Sequence, residues 1–237
     1  MENTLAIARR QFASYFNGPV AYIVICVILM VTGFFFWQQF FLDGRATVRA
    51  MWVFLVWGSI IGAPALTMGL LAEEKRTGTI EMLLTMPVKD SEVIVGKFLG
   101  VLGLYTVLLL LTLPYPMSVA SLGDLDWGQV AAGYLGMFLM AAAMLSFGIM
   151  TSSWTSSQIV AFFLSVALCF WIGFAFDKIL VLLPQGLARV LEWLSFDYHR
   201  RSMARGVIAL RDVVFFLSAI GLPLLIAFRS LESRRWR

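Results

Sequence analysis

The chain has 237 residues, of which 60% are hydrophobic and 14% charged, and its formal net charge is +4. Its mean hydropathy of +0.86 is too high for a soluble domain of this length and indicates a polytopic membrane protein. A bilayer core about 30 Å thick needs roughly 20 apolar residues per helix, and charge-free runs of about that length recur along the chain. The runs are Gln11–Leu42, Ala50–Ala72, Phe98–Gly123, Trp127–Phe176 and Val213–Phe228.

The fourth run is long enough for two spans, and the polar patch Thr151–Gln158 is the natural turn between them. We therefore predict one all-α domain, residues 1–237, with six transmembrane helices. Transmembrane β-strands are only about 10 residues long and alternate strictly, which these runs do not. We expect the spans to carry no Asp, Glu, Lys, Arg or His. The spans lie at about 20–38, 51–72, 95–117, 129–151, 157–177 and 211–229.

Residues 1–17 precede the first span and are amphipathic on a helical wheel. The pattern predicts an interfacial helix lying in the headgroup plane, followed by a retained signal anchor rather than a cleaved signal peptide. The polar residues on the remainder of the wheel are Arg9, Arg10, Gln11 and Ser14. The predicted apolar face is Leu5, Ala8, Phe12, Tyr15 and Phe16.

A charged segment punctuated by glycine, Glu73–Pro87 (EEKRTGTIEMLLTMP), separates the second and third spans. Glu74 and Arg76 close the second span at the water boundary. Gly78 permits a sharp turn, and Thr79 can cap a new helix.

The new helix is amphipathic. Ile80, Leu83 and Leu84 form its apolar stripe, and Glu81 lies near its start, where the helix dipole favours an anion. Pro87 ends it, and residues 89–92 begin the next helix. A capped amphipathic helix between two spans favours a docking surface for a partner. The alternative is a solvated loop that only caps the spans.

Gly96, Gly100 and Gly103 share one face at the start of the third span, and small residues let transmembrane helices approach closely. This face is either a lateral gate or dimer seam, or ordinary packing within one subunit.

Residues 178–210 form the largest polar insertion, in which leucines recur at helical spacing. We predict short external helices that partly dip into the membrane, with a second helix at Arg200–Leu210. His199 is the only histidine and a poor metal site, so we expect a structural or hydrogen-bonding role. In the alternative interpretation, Tyr198, His199 and the arginines contact an anionic lipid headgroup or a periplasmic partner. The candidate external-loop residues are Asp197, His199, Arg200 and Arg201.

Six spans place both termini on one side, which we assign to the cytoplasm of a bacterial inner membrane. Ten of the eighteen Lys and Arg residues then lie inside, so the positive-inside bias is weak. The basic tail is predicted to bind anionic inner-leaflet lipid. It comprises Arg229, Arg234, Arg235, Trp236 and Arg237.

The pattern E-x-x-x-G-T-x-E-x-L-L-x-x-P, which begins at Glu74, resembles the cytoplasmic coupling segment of ABC-2 type transport permeases. The stretch FNGPVAYIVICVILMVTGFFFW and the stretch Ser195–Ser218 (SFDYHRRSMARGVIALRDVVFFLS) resemble the gliding-motility (GldF-type) branch of that family. The resemblance covers nearly the whole chain. Glu73 departs from the wider pattern, in which Arg is usual, so the resemblance does not identify the pairing partner of Glu74.

The resemblance implies the permease subunit of an exporter, with ATP and Mg²⁺ bound by a separate ATPase and no catalytic residue, cofactor or metal in this chain. The sequence contains no G-x-x-x-x-G-K-[ST] motif. A second permease copy and an accessory membrane subunit with a periplasmic domain are the other implied partners; no nucleic acid is. The alternative is a mechanotransmission or scaffold subunit that translocates nothing. The implied ATPase-coupling residues are Glu74, Arg76, Gly78, Thr79, Glu81, Met82, Leu83 and Pro87.

Overall fold

The computed structural model describes residues 2–43, 47–79, 89–182, 184 and 191–232, and within these ranges the regular structure is entirely helical. A π-helical segment, Trp171–Ala175, joins α8 to α9. The helices are α1 (Glu2–Phe16), α2 (Pro19–Asp43), α3 (Arg49–Thr67), α4 (Gly69–Arg76), α5 (Asp90–Leu111), α6 (Pro114–Ala120), α7 (Trp127–Trp154), α8 (Gln158–Phe170), α9 (Phe176–Leu182), α10 (Phe196–Met203) and α11 (Leu210–Glu232).

Six helical stretches are long and apolar enough to cross a membrane, which confirms the predicted all-α class and span count. All six end beyond their predicted last residues, and five begin before their predicted first residues. Four of them continue past the charge-free runs into flanking charged residues. The stretches are Pro19–Leu42, Arg49–Arg76, Asp90–Ala120, Trp127–Trp154, Gln158–Leu180 and Leu210–Glu232.

Helix α7 is the centre of the bundle and packs against α3, α4, α5, α8, α10 and α11. In the most apolar 18-residue stretch of α7, 72% of the residues are buried, whereas the corresponding share in α11 is 17%. Small side chains permit this packing: Gly133 lies against the Trp52 indole, and Gly148 lies against Thr67. Exposed apolar faces remain on α2, α8 and α11 in the single chain.

Two helix boundaries lie inside or beside the predicted spans. Within the second span, α3 ends at Thr67 and α4 begins at Gly69, and the Met68 N–H between them donates to the carbonyl oxygen of Pro64 (2.8 Å). The turn predicted within Thr151–Gln158 is confirmed, but α7 continues to Trp154 and only the three residues before Gln158 are non-helical.

Helix α1 packs along α5, and the three glycines form the contact face. A Cβ atom at Gly96 would lie 2.9 Å from the Thr4 carbonyl oxygen, and one at Gly100 would lie 2.9 Å from the Ala8 carbonyl oxygen. Gly103 faces the Phe12 ring. The glycine stripe is therefore a packing surface within one chain, which decides between the two sequence-based alternatives.

This close approach rotates α1 relative to the predicted amphipathic wheel. Gln11, predicted to lie off the apolar face, packs against Gly100, whereas Leu5 is 70% exposed. The prediction was wrong for Gln11 because hydropathy alone does not account for a backbone-to-backbone contact, whereas an exposed Leu5 is compatible with an interfacial apolar face. Leu5 is left free to face lipid.

Helix α10 corrects the prediction of a helix at Arg200–Leu210. It begins at Phe196 because the Ser195 hydroxyl accepts a hydrogen bond from the Tyr198 backbone N–H (3.0 Å), and it ends at Met203, before Gly206 at a φ of +89°. Of the predicted leucine stripe, Leu180 is buried, Leu191 is half-buried and Leu194 is 61% exposed. Leu183 and Leu187 lie outside the described residues.

The bundle has two ends, named here by one residue each. The Glu74 end contains α1, the end of α4, the start of α5 and the junction between α7 and α8. The His199 end contains α9, α10 and the starts of α3 and α11.

Candidate functional site at the Glu74 end

Glu74 and Lys97 form an ion pair that joins α4 to α5. The Lys97 Nζ lies 2.6 Å from Glu74 Oε1 and also donates to the Leu70 carbonyl oxygen (2.5 Å). The Lys97 side chain is 4% exposed and that of Glu74 is 28% exposed. This pair supplies the partner of Glu74 that the sequence pattern left undetermined.

Lys97 also corrects the expectation that the spans carry no ionisable residue. It lies inside the third span, as the buried Asp212 lies inside the sixth. Asp212 occurs in the first turn of its span and Lys97 in the third, and each has a partner of opposite charge or a hydrogen-bonding partner. Burial of a charge in a membrane helix is tolerated under that condition.

Ser152 on α7 holds the start of α4 from outside the helix. Its hydroxyl accepts hydrogen bonds from the backbone N–H groups of Leu71 (3.1 Å) and Ala72 (3.0 Å) and lies 3.0 Å from the Met68 carbonyl oxygen as a donor. These N–H groups belong to the first turn of α4, where no carbonyl of the same helix is available. Lys75 donates to the Ser153 carbonyl oxygen, so both ends of α4 are bound to α7.

The turn after α4 is built as predicted at Gly78. This residue has a φ of +73° and open space around its Cα, so its backbone conformation, rather than crowding, favours glycine. Thr77 donates to the Glu73 carbonyl oxygen (3.0 Å), and its hydroxyl lies 2.9 Å from that of Thr79. The chain thus leaves α4 through a defined turn.

Of the remaining predicted coupling residues, the structure describes Arg76 but not the last four. Arg76 forms an exposed pair with Glu73 at 3.7 Å. The predicted recapping after the segment is confirmed, since the Lys89 backbone N–H donates to Glu92 Oε2 (3.2 Å) at the start of α5. Glu81, Met82, Leu83 and Pro87 lie outside the described residues.

A cavity of about 420 Å³ opens beside the ion pair, between α1, α4 and the start of α8. Tyr15 on α1 lines it and donates from its phenol to the Leu66 carbonyl oxygen (2.6 Å). Burial raises the pKa of Tyr15, so the phenol stays protonated and remains a donor across the physiological range. Helix α1 therefore contacts α3 through this hydrogen bond and α5 through the glycine face.

The candidate residues at the His199 end lie on α10 rather than in a loop. His199 is 2% exposed, with Nδ1 lying 2.7 Å from Asp212 Oδ1 and Nε2 lying 3.0 Å from the Trp193 carbonyl oxygen. Its ring stacks on that of Phe215 at 4.1 Å. These contacts are the hydrogen-bonding role expected from the sequence, and they leave no ring nitrogen for a lipid or a partner.

Asp197 binds both neighbouring arginines, through Oδ1 to Arg200 and through Oδ2 to Arg201. Burial raises the pKa of Asp197, but the ion pairs with Arg200 and Arg201 and a hydrogen bond with Asp177 outweigh burial and lower its pKa below the usual range. Arg200 is 8% exposed, whereas the Arg201 side chain is 61% exposed. Within the described ranges, no group of three or more His, Cys, Asp and Glu side chains is placed to hold a metal.

Sequence reasoning missed Lys97 and Ser152. A signal for Lys97 existed, because a lysine inside a predicted span requires a partner of opposite charge. The sequence did not indicate which of the preceding carboxylates this partner is, because Glu81, Asp90 and Glu92 lie closer in sequence to Lys97 than Glu74 does. No sequence signal pointed to Ser152, since a serine near the end of a helix has many possible hydrogen-bonding partners.

A comparison with known protein families identifies the family of this chain. A family model described as "ABC-2 family transporter protein" matches residues 39–196, which cover the end of α2 through the start of α10, including the ion pair and the segment between its helices. No curated protein matches the chain. The chain therefore belongs to the ABC-2 transporter family and is a multi-pass membrane component of a transporter.

Proposed function

We propose that the chain is the permease subunit of a bacterial ABC-2 exporter, which couples ATP hydrolysis by a separate ATPase to export or conformational work across the inner membrane. The observation that carries this proposal is the Glu74–Lys97 ion pair. It joins the two helices on either side of residues 77–89, so a push on that segment moves α4 and α5 together.

The motion has a physical route into the bundle. Helix α4 is bound to α7 by the hydrogen bonds of Ser152 and Lys75, and α7 contacts most of the other spans. Helix α5 carries α1 on its glycine face. Packed interfaces transmit displacement because they resist compression. A displacement at the Glu74 end therefore reaches both the core and the interfacial helix.

The ATPase contact is assigned to the segment that begins at Glu74. Gly78, with its φ of +73°, forms the turn between α4 and this segment. ATP and Mg²⁺ belong to the ATPase, and this chain performs no bond chemistry. The proposed contact residues are Glu74, Arg76, Gly78, Thr79, Glu81, Met82, Leu83 and Pro87.

In the proposed assembly two copies of this permease and two ATPase chains make the transporter, with both permease termini in the cytoplasm and an accessory membrane subunit carrying a periplasmic domain. The even number of candidate spans supports placing the termini on one side. We assign the chain to the gliding-motility (GldF-type) branch because the stretch Ser195–Ser218 resembles that branch. This stretch contains α10 and the first turns of α11.

The first test is a cysteine cross-link from Met82→Cys to the ATPase encoded with this chain, using Thr106→Cys, inside the third span, as the matched negative control. Cross-linking at position 82 alone supports the contact. Labelling of Met82→Cys by an impermeant reagent from the periplasmic side contradicts the orientation and the coupling role together.

The second test concerns the energy source and the output. The complex reconstituted in liposomes that include anionic lipid should work with ATP when the proton gradient is collapsed, and the permease alone should be inactive. Activity of the isolated chain driven by an ion gradient contradicts the proposal. ATP-driven conformational change without any cargo-dependent ATPase activity favours the mechanotransmission alternative over export.

A further inference from the structure

An amphipathic cleft lies at the His199 end, between α3 and the π-helical segment, beneath α10. Its deeper part, about 190 Å³, has an apolar wall formed by Val53, Val56, Trp57 and Ile60, which share one face of α3. Trp57 packs against Phe174 at 4.6 Å between ring centroids and is 39% exposed. Val53 is 46% exposed, whereas Val56 and Ile60 are 6% and 2% exposed. The wall is thus accessible from the side of the bundle at Val53 and Trp57 and buried at the other two residues.

The outer part of the cleft is basic. A cavity of about 250 Å³ shares Val53, Arg200 and Arg201 with the deeper part and adds Arg49 and Arg205. Among the residues that the structure describes, none that lines this outer cavity is acidic. The deeper and outer cavities share three lining residues, so apolar surface and guanidinium groups lie side by side along them.

The arginines are not equally available to a ligand. Arg200 is buried and uses both Nε and Nη2 on Asp197 Oδ1, so it is already neutralised. Arg201 contacts Asp197 through Nη2 and is otherwise exposed. Among the described residues, the side chains of Arg49 and Arg205 have no hydrogen-bonding or ion-pair partner. Arg49, Arg201 and Arg205 therefore have unused donors around one cavity.

The charges facing the cleft leave a net positive potential. Arg49, Arg200, Arg201, Arg205 and Lys178 line its two parts, with Asp177 and Asp197 as the only carboxylates among the lining residues of the described chain. Ser195 donates a hydrogen bond to Asp177, and Lys178 lies 5.5 Å from the centroid of the Phe174 ring. Guanidinium groups bind phosphate oxygens in paired, directional hydrogen bonds.

We propose that this cleft binds one anionic phospholipid from the leaflet at the His199 end, with its phosphate on Arg49, Arg201 and Arg205 and its first acyl carbons against the α3 wall. A free anion would satisfy the arginines but leave the apolar wall uncovered, and a neutral lipid would leave the arginines unpaired. The proposal is independent of the ATPase assignment, because neither the wall nor the arginines contact the Glu74 end.

The test measures lipid retention by the full chain in nanodiscs of phosphatidylcholine and phosphatidylglycerol, using native mass spectrometry. The variant Arg49→Gln/Arg205→Gln should bind phosphatidylglycerol with about thirtyfold lower affinity, since each of the two surface arginines contributes about 1 kcal/mol to binding of anionic lipid. The matched control, Arg9→Gln/Arg229→Gln, removes two arginines from the Glu74 end and should retain it. All four substituted arginines are exposed, so we expect both variants to fold.

A second variant separates a phospholipid from a free anion. Val53→Trp narrows the apolar part and should also release phosphatidylglycerol, and inorganic phosphate should not compete with the lipid. Three results each overturn the proposal: equal loss in the arginine control, phosphatidylcholine retained as strongly as phosphatidylglycerol, or full competition by inorganic phosphate with no effect of Val53→Trp.

Discussion

Lys97 places its ammonium group 2.6 Å from the carboxylate of Glu74, across a gap of 22 residues in sequence that contains the proposed ATPase contact. The pair closes the base of that segment, and Lys97 adds a hydrogen bond to the Leu70 carbonyl oxygen. Because the helices before and after this segment, α4 and α5, are joined in this way, we expect the segment to transmit force to both helices instead of bending where it meets them.

Replacement of Lys97 with Met should destabilise the protein by about 2–3 kcal/mol, because it leaves the Glu74 carboxylate partly buried without its charge partner. Thermal unfolding in detergent measures the effect. The control is Glu73→Gln, which breaks only the exposed pair with Arg76 and should change stability little. An unchanged melting temperature for Lys97→Met contradicts the assigned role.

Replacement of Gly78 with Pro should uncouple ATP binding from movement while leaving the protein inserted, because proline cannot adopt the φ of +73° found there. Asparagine tolerates that conformation, so Gly78→Asn should remain coupled. The readout is ATP-dependent labelling of a cysteine placed at the exposed Val207, at the opposite end of the bundle. Equal behaviour of the two variants contradicts the argument.

Replacement of Gly100 with Val should separate α1 from α5, since even a Cβ atom there would lie 2.7 Å from the Gln11 Cβ atom and 2.9 Å from the Ala8 carbonyl oxygen. Faster amide hydrogen exchange throughout α1 is the expected result. Gly221→Val on α11 is the matched control, because no atom lies within 4 Å of a Cβ atom at that glycine. Protection of α1 that survives Gly100→Val contradicts the packing role.

Replacement of Ser152 with Ala should cost about 1–2 kcal/mol, because two backbone N–H groups at the start of α4 lose their acceptor. Thermal unfolding, together with hydrogen exchange of Leu71 and Ala72, measures it. Ser118→Ala, an exposed serine on α6, provides the comparison and should be nearly neutral. Loss of protection confined to α4 supports the capping role, whereas no change at either amide contradicts it.

Acidification tests the arginine pairs of Asp197. Because the folded-state pKa of Asp197 is lowered, its contribution to stability is present above the unfolded pKa of about 3.9 and is lost as the pH falls through the lower folded value. Asp197→Asn should therefore be less stable than the parent at neutral pH, and the difference should shrink below about pH 4. Melting temperatures of both proteins across that range measure it; a difference independent of pH contradicts the ion-pair account.

The sequence by itself determined the membrane class, the six spans and the turn at Gly78. Each of these depends on local physical chemistry: the hydropathy of about 20 consecutive residues, or the backbone freedom of a single glycine. The resemblance of the segment after Glu74 to the ABC-2 family was likewise visible without a structure, and the family match agrees with it.

Only the tertiary structure decided which residues meet. Glu74 pairs with Lys97, Ser152 caps α4, and the glycine stripe of α5 receives α1 on a face that includes Gln11. The physical reason is that helix rotation and register are set by side-chain volume and backbone approach between distant segments, whereas hydropathy reports only whether a residue prefers water or lipid.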